Sequence, residues 1–423
     1  MSIKNLLIAN RGEIAIRVAR AAAEAGITSH SVYSEDDAGA AHTTKSELTH
    51  ALTGSGPGAY LDAAQIIRVA QSAGCDAVHP GYGFLSENPD FAKACEAAGL
   101  IFVGPTPDAL TTFGDKAAAR KLAASCEVPV MPGTDKATSL DEAHAFFRSL
   151  GKGGAVMIKA IAGGGGRGMR PVHAEADLDD AYERCSSESK QAFGNGDVYL
   201  EQLFPRARHI EVQVAGDGSG EVVHMWEREC SLQRARQKLV ELAPAPGLSP
   251  DLRKRLLDAA LRMAAAVKLR SLATFEFLVE EQATKKSRFA FIEANARLQV
   301  EHTVTEEITG IDLVRTQLDI AGGQTLKQLG LEAGSVPSPR GIAMQLRVNA
   351  ETMSADGIVR PAAPGTLQAF DLPAGPGVRV DTCGHSGFRA NPRFDSLLAK
   401  VIVHVTPASL PALTAKARRA LSE

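Results

Sequence analysis

The chain has 423 residues, 44% hydrophobic and 22% charged, with a formal net charge of −3. Such a length holds two or three domains with proper cores, and an acidic balance without a basic run speaks against nucleic acid as a partner. No apolar stretch approaches the roughly 18 residues of a membrane helix, no signal peptide is recognisable, and six scattered cysteines read as reduced thiols of a cytoplasmic protein.

Leu6 to Ala9 predicts a strand, followed by Asn10-Arg11-Gly12-Glu13 and a helix with Ile14, Val18 and Ala21 to Ala25 on one face. Gly26 ends that helix and a second strand starts at His30. Ala77 to His79 is a strand running into the glycine-rich turn Pro80 to Asn88, and after a helix the strand Leu100 to Val103 follows. Alternating strands and helices describe an open parallel sheet, here without the glycine fingerprint of a dinucleotide site.

The composition changes near residues 130 to 136, where a smaller lid domain is expected to begin. Within it, Val156 to Lys159 is a short apolar strand ending in lysine, and Gly163-Gly164-Gly165-Gly166-Arg167-Gly168-Met169-Arg170 follows closely. A glycine run alone is commonly a flexible loop. Consecutive glycines also expose backbone N–H groups that can close over an anion, and Lys159, Arg167 and Arg170 add positive charge. The setting favours a phosphate lid, and it is not a Walker A loop because no Gly-Lys-Ser/Thr follows. The lid is expected to end near Val198 to Glu201. From His209 the chain turns strand-rich, with Ile210 to Val214, a turn at Gly216 to Gly220 and a return strand from Glu221 to Met225.

The densest signal lies between Phe291 and His302. Glu293, Asn295, Arg297, Gln299 and Glu301 alternate with Ile292, Ala294, Ala296, Leu298 and Val300. In an extended segment these form two faces, and acid, amide, Arg, amide, acid in one row suits a site better than a wet surface. Upstream, Phe275, Phe277 and Val279 alternate with Glu276, and charged residues 280 to 288 read as a loop. A hairpin is therefore expected to bring Glu276 and Glu293 together. Facing buried carboxylates repel unless a cation relieves them. Oxygen ligands Glu276, Glu293 and Asn295 suit Mg²⁺ or Mn²⁺.

These residues together resemble the biotin carboxylase family of the ATP-grasp fold, over essentially the whole chain. The resemblance is carried by Ala9 to Ile14, His79 to Asn88, Phe102 to Pro105, Gly114 to Lys116, Gly163 to Met169, Cys230 to Arg234, Gln237-Lys238, Ala243 to Pro246, Thr274 to Phe277, Gln299 to His302 and Arg347 to Ala350. It implies an α/β (α+β) fold divided into an N-terminal parallel-sheet domain over residues 1–115, linker helices and the ATP-grasp lid over 116–204, and the body with a C-terminal antiparallel-sheet domain over 205–423. The implied reaction is carboxylation of carrier-linked biotin by bicarbonate with MgATP, through carboxyphosphate.

Carried over by position, the resemblance assigns ATP to Lys116, Lys159, Gly165, Gly166, Glu201, Gln202, Leu203, Phe204, His209, Gln233 and Arg236. Glu276, Glu293 and Asn295 would hold two metal ions. Lys238, Arg297, Gln299 and Val300 would bind bicarbonate, Glu301 would deprotonate it, and Arg347 would stabilise the biotin enolate. A planar anion suits an Arg fork and a Lys, and phosphoryl transfer asks mainly for position and cationic charge. Partners implied are a biotin carrier domain and a carboxyltransferase of an acyl-CoA carboxylase, within a homodimer or larger assembly.

Some positions depart from the family pattern. Arg236 stands where His is usual, Leu242 for Glu, Ala296 for Thr, Thr303 for Pro and Thr352 for Asp, and the first two are expected beside Lys238. The sequence ends at Glu423, short of a segment that completes the family's C-terminal part, and contains no Met-Lys-Met biotinylation site. It reads as a domain of a longer, multidomain carboxylase. The competing readings are another bicarbonate-using ATP-grasp ligase and an excised domain inactive alone.

Overall fold

The chain is built on a five-stranded, a three-stranded and an eight-stranded sheet in the computed structural model, which describes residues 3–134, 136–161, 168–204, 206–234, 236–355, 357–362 and 365–423. The N-terminal body is the expected parallel sheet, with five strands in the order Leu48–Ala51, Thr28–Tyr33, Asn5–Ile8, Ala77–His79, Ile101–Phe102. Helix Gly12–Glu24 buries Ile14, Val18, Ala21 and Ala22, a spacing that keeps one helical stripe against the sheet. The turn after His79 depends on Gly81. Its φ is +64, in the left-handed region, and a Cβ there would stand 2.8 Å from Asn10 Nδ2. Asn10 uses that amide to donate to the Pro80 and Tyr82 carbonyls at 2.6 and 2.8 Å, which holds Tyr82 in place.

The lid is a three-stranded antiparallel sheet, ordered Met169–Val172, Val156–Ala160, Val198–Gln202. Its first helix, Leu140–Ser149, starts with a capping box between Ser139 and Glu142, which satisfies two otherwise unpaired donors. Helix Leu178–Phe193 covers the sheet, and Ala143, Val156, Ile158, Val172, Leu178 and Leu200 form the lid's own core. The glycine run, with Gly165 and Gly166, falls outside the described residues.

The body is an eight-stranded antiparallel sheet in the order Phe289–Asn295, Arg270–Glu280, Ala207–Asp217, Val222–Arg234, Gln237–Ala243, Ile342–Asn349, Leu397–Val405, Val378–Thr382. Helix Pro250–Ala266 begins at Ser249, whose hydroxyl accepts from the Leu252 N–H at 3.3 Å. It buries Leu252, Leu256, Ala260 and Met263. The expected hairpin is present, with Glu276 opposite Glu293 in the ladder and Phe275, Phe277 and Val279 on the buried face. The ladder stops at Asn295. Residues 296–301 continue without strand pairing and end in a turn at Val300 and Glu301, with Arg297 and Gln299 held by side-chain bonds. Among the described residues no helix is long and apolar enough to cross a membrane.

Phe277 locks the hairpin's apolar face by meeting Phe289 and Phe291 edge-on, with ring centroids 5.7 and 6.1 Å away. Phe277→Ala is expected to destabilise the body by about 3–5 kcal/mol, measured as a shift in denaturant midpoint at constant m-value.

Candidate active site

The polar face of the body sheet gathers around one ammonium group. Lys238 Nζ stands 2.6 Å from Glu211 Oε2, 3.0 Å from Glu276 Oε1 and 2.6 Å from Glu301 Oε1. Burial alone would lower its pKa, but the three carboxylates outweigh burial and raise it well above the ordinary lysine value. The reciprocal effect holds Glu301 below the usual carboxylate range despite its burial, with Lys238 and then Arg347 as the favourable charges. Glu301 is thus an ionised acceptor at neutral pH.

Glu276 is held on both oxygens. His209 Nε2 lies 2.6 Å from Oε2, and Asn295 Nδ2 donates to Oε1 at 2.8 Å. The other ring nitrogen of His209 is 2.9 Å from Gln233 Nε2. Arg297 forks across the alternating row: NH2 donates to Asn295 Oδ1 at 2.9 Å, NH1 to Gln299 Oε1 at 3.0 Å, and Nε to Glu87 Oε2 at 2.7 Å. Gln299 donates onward to Thr274 Oγ1 at 2.9 Å. Arg347 closes the far end, 2.6 Å from Glu241 and 3.1 Å from Glu301 Oε2. Nine of the residues singled out in the sequence, His209, Gln233, Lys238, Glu276, Asn295, Arg297, Gln299, Glu301 and Arg347, are therefore connected by direct contacts.

Glu293 faces the lid side. Burial raises its pKa and the neighbouring Glu276 raises it further, while Lys116 acts in the opposite sense. Lys116 itself is lowered by burial and by Lys159, against the pull of Glu293 and Glu201. Lys159 pairs with Glu201, which also accepts from Arg120 NH1 at 2.8 Å. The two lysines thus share one cleft between lid and body. Gln202, Leu203 and Phe204 follow Glu201 and are half-buried. Arg236 donates to the Met169 carbonyl on the lid strand, so its guanidinium leaves Lys238 and reaches across to the lid. Leu242 does not touch Lys238 either; it packs with Ile342, Met344 and Leu413.

The donor set fits a divalent cation. Glu276 and Glu293 supply oxygens whose mutual repulsion is visible in the raised Glu293, a penalty that Mg²⁺ or Mn²⁺ would remove. Asn295 turns its amide nitrogen to Glu276 and its oxygen to Arg297. Among the described residues, His209, Glu211 and Glu276 form one group whose potential ligand atoms lie within 4.8 Å of one another, and Glu211, Cys230 and Glu301 form a second.

Glu211, Arg228, Glu241 and Glu87 were not singled out in the sequence. Glu211 and Arg228 are fully buried and paired, and Arg228 NH1 also donates to Gln213 Oε1 and Thr305 Oγ1, both at 2.9 Å. A signal existed in Ile210 to Val214, where Glu211 and Gln213 alternate with three apolar residues inside a central strand.

Parallel-sheet domain, antiparallel lid and curled body sheet with lysines in the cleft define an ATP-grasp ligase. The biotin carboxylase N-terminal domain matches residues 2–110, the carbamoyl-phosphate synthase L chain ATP-binding domain residues 115–329, and the biotin carboxylase C-terminal domain residues 345–423. The chain belongs to the biotin carboxylase family, whose members are ATP-dependent carboxylating ligases that use Mg²⁺ and biotin. It is 50% identical to the biotin carboxylase domain of a single-chain bacterial carboxylase, covering 99% of this chain and 89% of that one with a TM-score of 0.87. The biotin carboxylase domain of Hydrogenobacter thermophilus 2-oxoglutarate carboxylase, solved as a dimer with MgADP, ADP and bicarbonate, is 38% identical with a TM-score of 0.92, covering 100% and 90%. Mitochondrial pyruvate carboxylase of Mus musculus is 46% identical over 426 residues, covering 100% of this chain and 35% of the relative. The chain spans about a third of the length of the curated relatives it matches.

Replacing Glu276 or Glu293 by Gln keeps shape and removes the charge that a cation needs. Either variant is expected to lower metal-dependent ATP cleavage by at least about 10²-fold with the fold retained, measured as ADP release alongside circular dichroism; turnover near that of the unaltered protein would refute the metal assignment.

Proposed function

We propose that the chain is the biotin carboxylase component of a single polypeptide that also carries a biotin carrier domain and a carboxyltransferase. The observation that carries the reading is the row Asn295–Arg297–Gln299–Glu301 set against Lys238 and Arg347. The length of the matched relatives supports the larger polypeptide. Those relatives include pyruvate carboxylases, so the acceptor class is wider than the acyl-CoA expected from sequence. The six free cysteines suit a reducing compartment such as the cytoplasm, and the dimer solved for the Hydrogenobacter domain supports a homodimer here.

Lys116 and Lys159 bind phosphates in the cleft, with Gly165 and Gly166 closing over them and Glu201 to Phe204 along the adenine edge. His209, Gln233 and Arg236 border the nucleotide. Glu276, Glu293 and Asn295 hold Mg²⁺ or Mn²⁺, which supplies charge neutralisation on the phosphates. Lys238, Arg297, Gln299 and the Val300 backbone bind bicarbonate. Glu301 takes its proton as a bicarbonate oxygen attacks the γ-phosphorus and ADP leaves. The resulting carboxyphosphate splits into CO₂ and phosphate, and the phosphate takes the ureido N–H proton. Arg347 stabilises negative charge on the biotin ureido oxygen as its nitrogen attacks CO₂. A base two positions along the row from Arg297 is well placed for that transfer.

ADP release with MgATP should require bicarbonate and rise with free biotin; release indifferent to both would leave only another ATP-grasp chemistry. Arg297→Ala and Lys238→Ala are expected to lower bicarbonate-dependent turnover by roughly 10²–10³-fold while nucleotide binding by calorimetry stays intact. An equal loss of ATP affinity would mean a structural role.

A further inference from the structure

Two buried side chains with no role in the reaction described above close on the turn between Gln299 and Glu301. Lys400 is 0% exposed on strand Leu397–Val405, and its Nζ donates to the Val300 carbonyl at 3.1 Å. It also stands 3.0 Å from Glu13 Oε2 and 4.0 Å from Asp381 Oδ2. From the other side, His302 Nδ1 lies 2.7 Å from the Gln299 carbonyl. A carbonyl only accepts, so Nδ1 carries the proton, and buried Nε2 has no hydrogen-bond partner among the described residues. Burial, followed by the charges of Lys400, Arg17 and Arg379, lowers the ring's pKa, which keeps it in that neutral form.

The two carbonyls belong to the peptide units on either side of Val300. Pinning the Gln299 carbonyl fixes the direction of the Val300 N–H, which shares its planar unit, and pinning the Val300 carbonyl fixes the unit that leads into Glu301. Among the described residues the Val300 N–H donates to no acceptor of the chain. Packing does not call for an ammonium at position 400. A buried charge pair commonly contributes less to stability than an apolar residue of similar volume. Lys400 also sits directly opposite Arg347 in the ladder, a like-charge arrangement that disfavours pairing.

We infer that Lys400 and His302 are positioning residues that clamp the Gln299–Glu301 turn, so that the Val300 N–H and the Glu301 carboxylate address the same bicarbonate ion. The inference rests on the bicarbonate reading given above.

The test is steady-state ADP release by the intact protein, with bicarbonate and ATP varied separately. Lys400→Met is made together with Glu13→Gln to keep the buried charges balanced. His302→Leu is compared with His302→Asn, which keeps an N–H donor. Expected is a fall in kcat/KM for bicarbonate on the order of 10²-fold in the Lys400→Met and His302→Leu proteins, with KM for ATP unchanged and most of the loss recovered in His302→Asn. Arg297→Ala serves as the control. If it lowers kcat/KM for bicarbonate and the clamp variants do not, or if they lose ATP and bicarbonate efficiency together, the clamp is wrong. If Arg297→Ala leaves kcat/KM for bicarbonate unmoved, the bicarbonate reading fails and the clamp with it. Should Lys400→Met not fold, the His302 pair decides alone.

Discussion

Three buried carboxylates, Glu211, Glu276 and Glu301, converge on the single ammonium of Lys238. Without it they would repel at close range in a medium that screens poorly, and at least one would have to take up a proton. With it, each stays ionised at a defined place. Everything else in the site is arranged to keep that charge balance: Arg228 neutralises the far oxygen of Glu211, Arg347 that of Glu301, and His209 that of Glu276. The site is a lattice of alternating charge in which no group can move without uncovering another.

This arrangement also sets apart two kinds of carboxylate. Glu276 and Glu301 pair directly with cations and are held below their ordinary pKa, whereas Glu293 is raised by burial and by Glu276 against the pull of Lys116 and Lys238. The first kind is ready to accept; the second awaits positive charge from outside. That asymmetry is what a site needs if a cation and a nucleotide arrive with the substrate rather than residing in it.

Much of this was legible in the sequence because it is local. The polar alternation from Glu293 to Glu301, the Glu276 hairpin partner and the strand ending at Lys159 each follow from period-two spacing and from charged residues where a plain strand would place none. The parallel sheet followed from strand and helix succession in the first hundred residues. What was not legible depends on partners far apart in the chain. Glu211 with Lys238, Glu241 with Arg347 and Glu87 with Arg297 are pairs that only the fold brings together, and Glu211 and Gln213 passed as an ordinary strand. The positions of Arg236 and Leu242 close to Lys238 in sequence also misled, since one reaches to the lid and the other enters the core.

The order of strands in the body has a mechanical side. The strand bearing Glu276 and the strand bearing Lys238 are three inter-strand steps apart, about 14 Å along a flat sheet. Their side chains nevertheless meet at 3.0 Å, lying across the intervening strands and joined midway by Glu211. The curl of the sheet is therefore a ruler, and the register shifts between Glu229 and Gln233 are where its graduations are set, since bulges increase local twist. Spacing between Glu276 and Arg347 is written in backbone curvature, so a residue that touches none of the site's side chains can lengthen or shorten the distance across it.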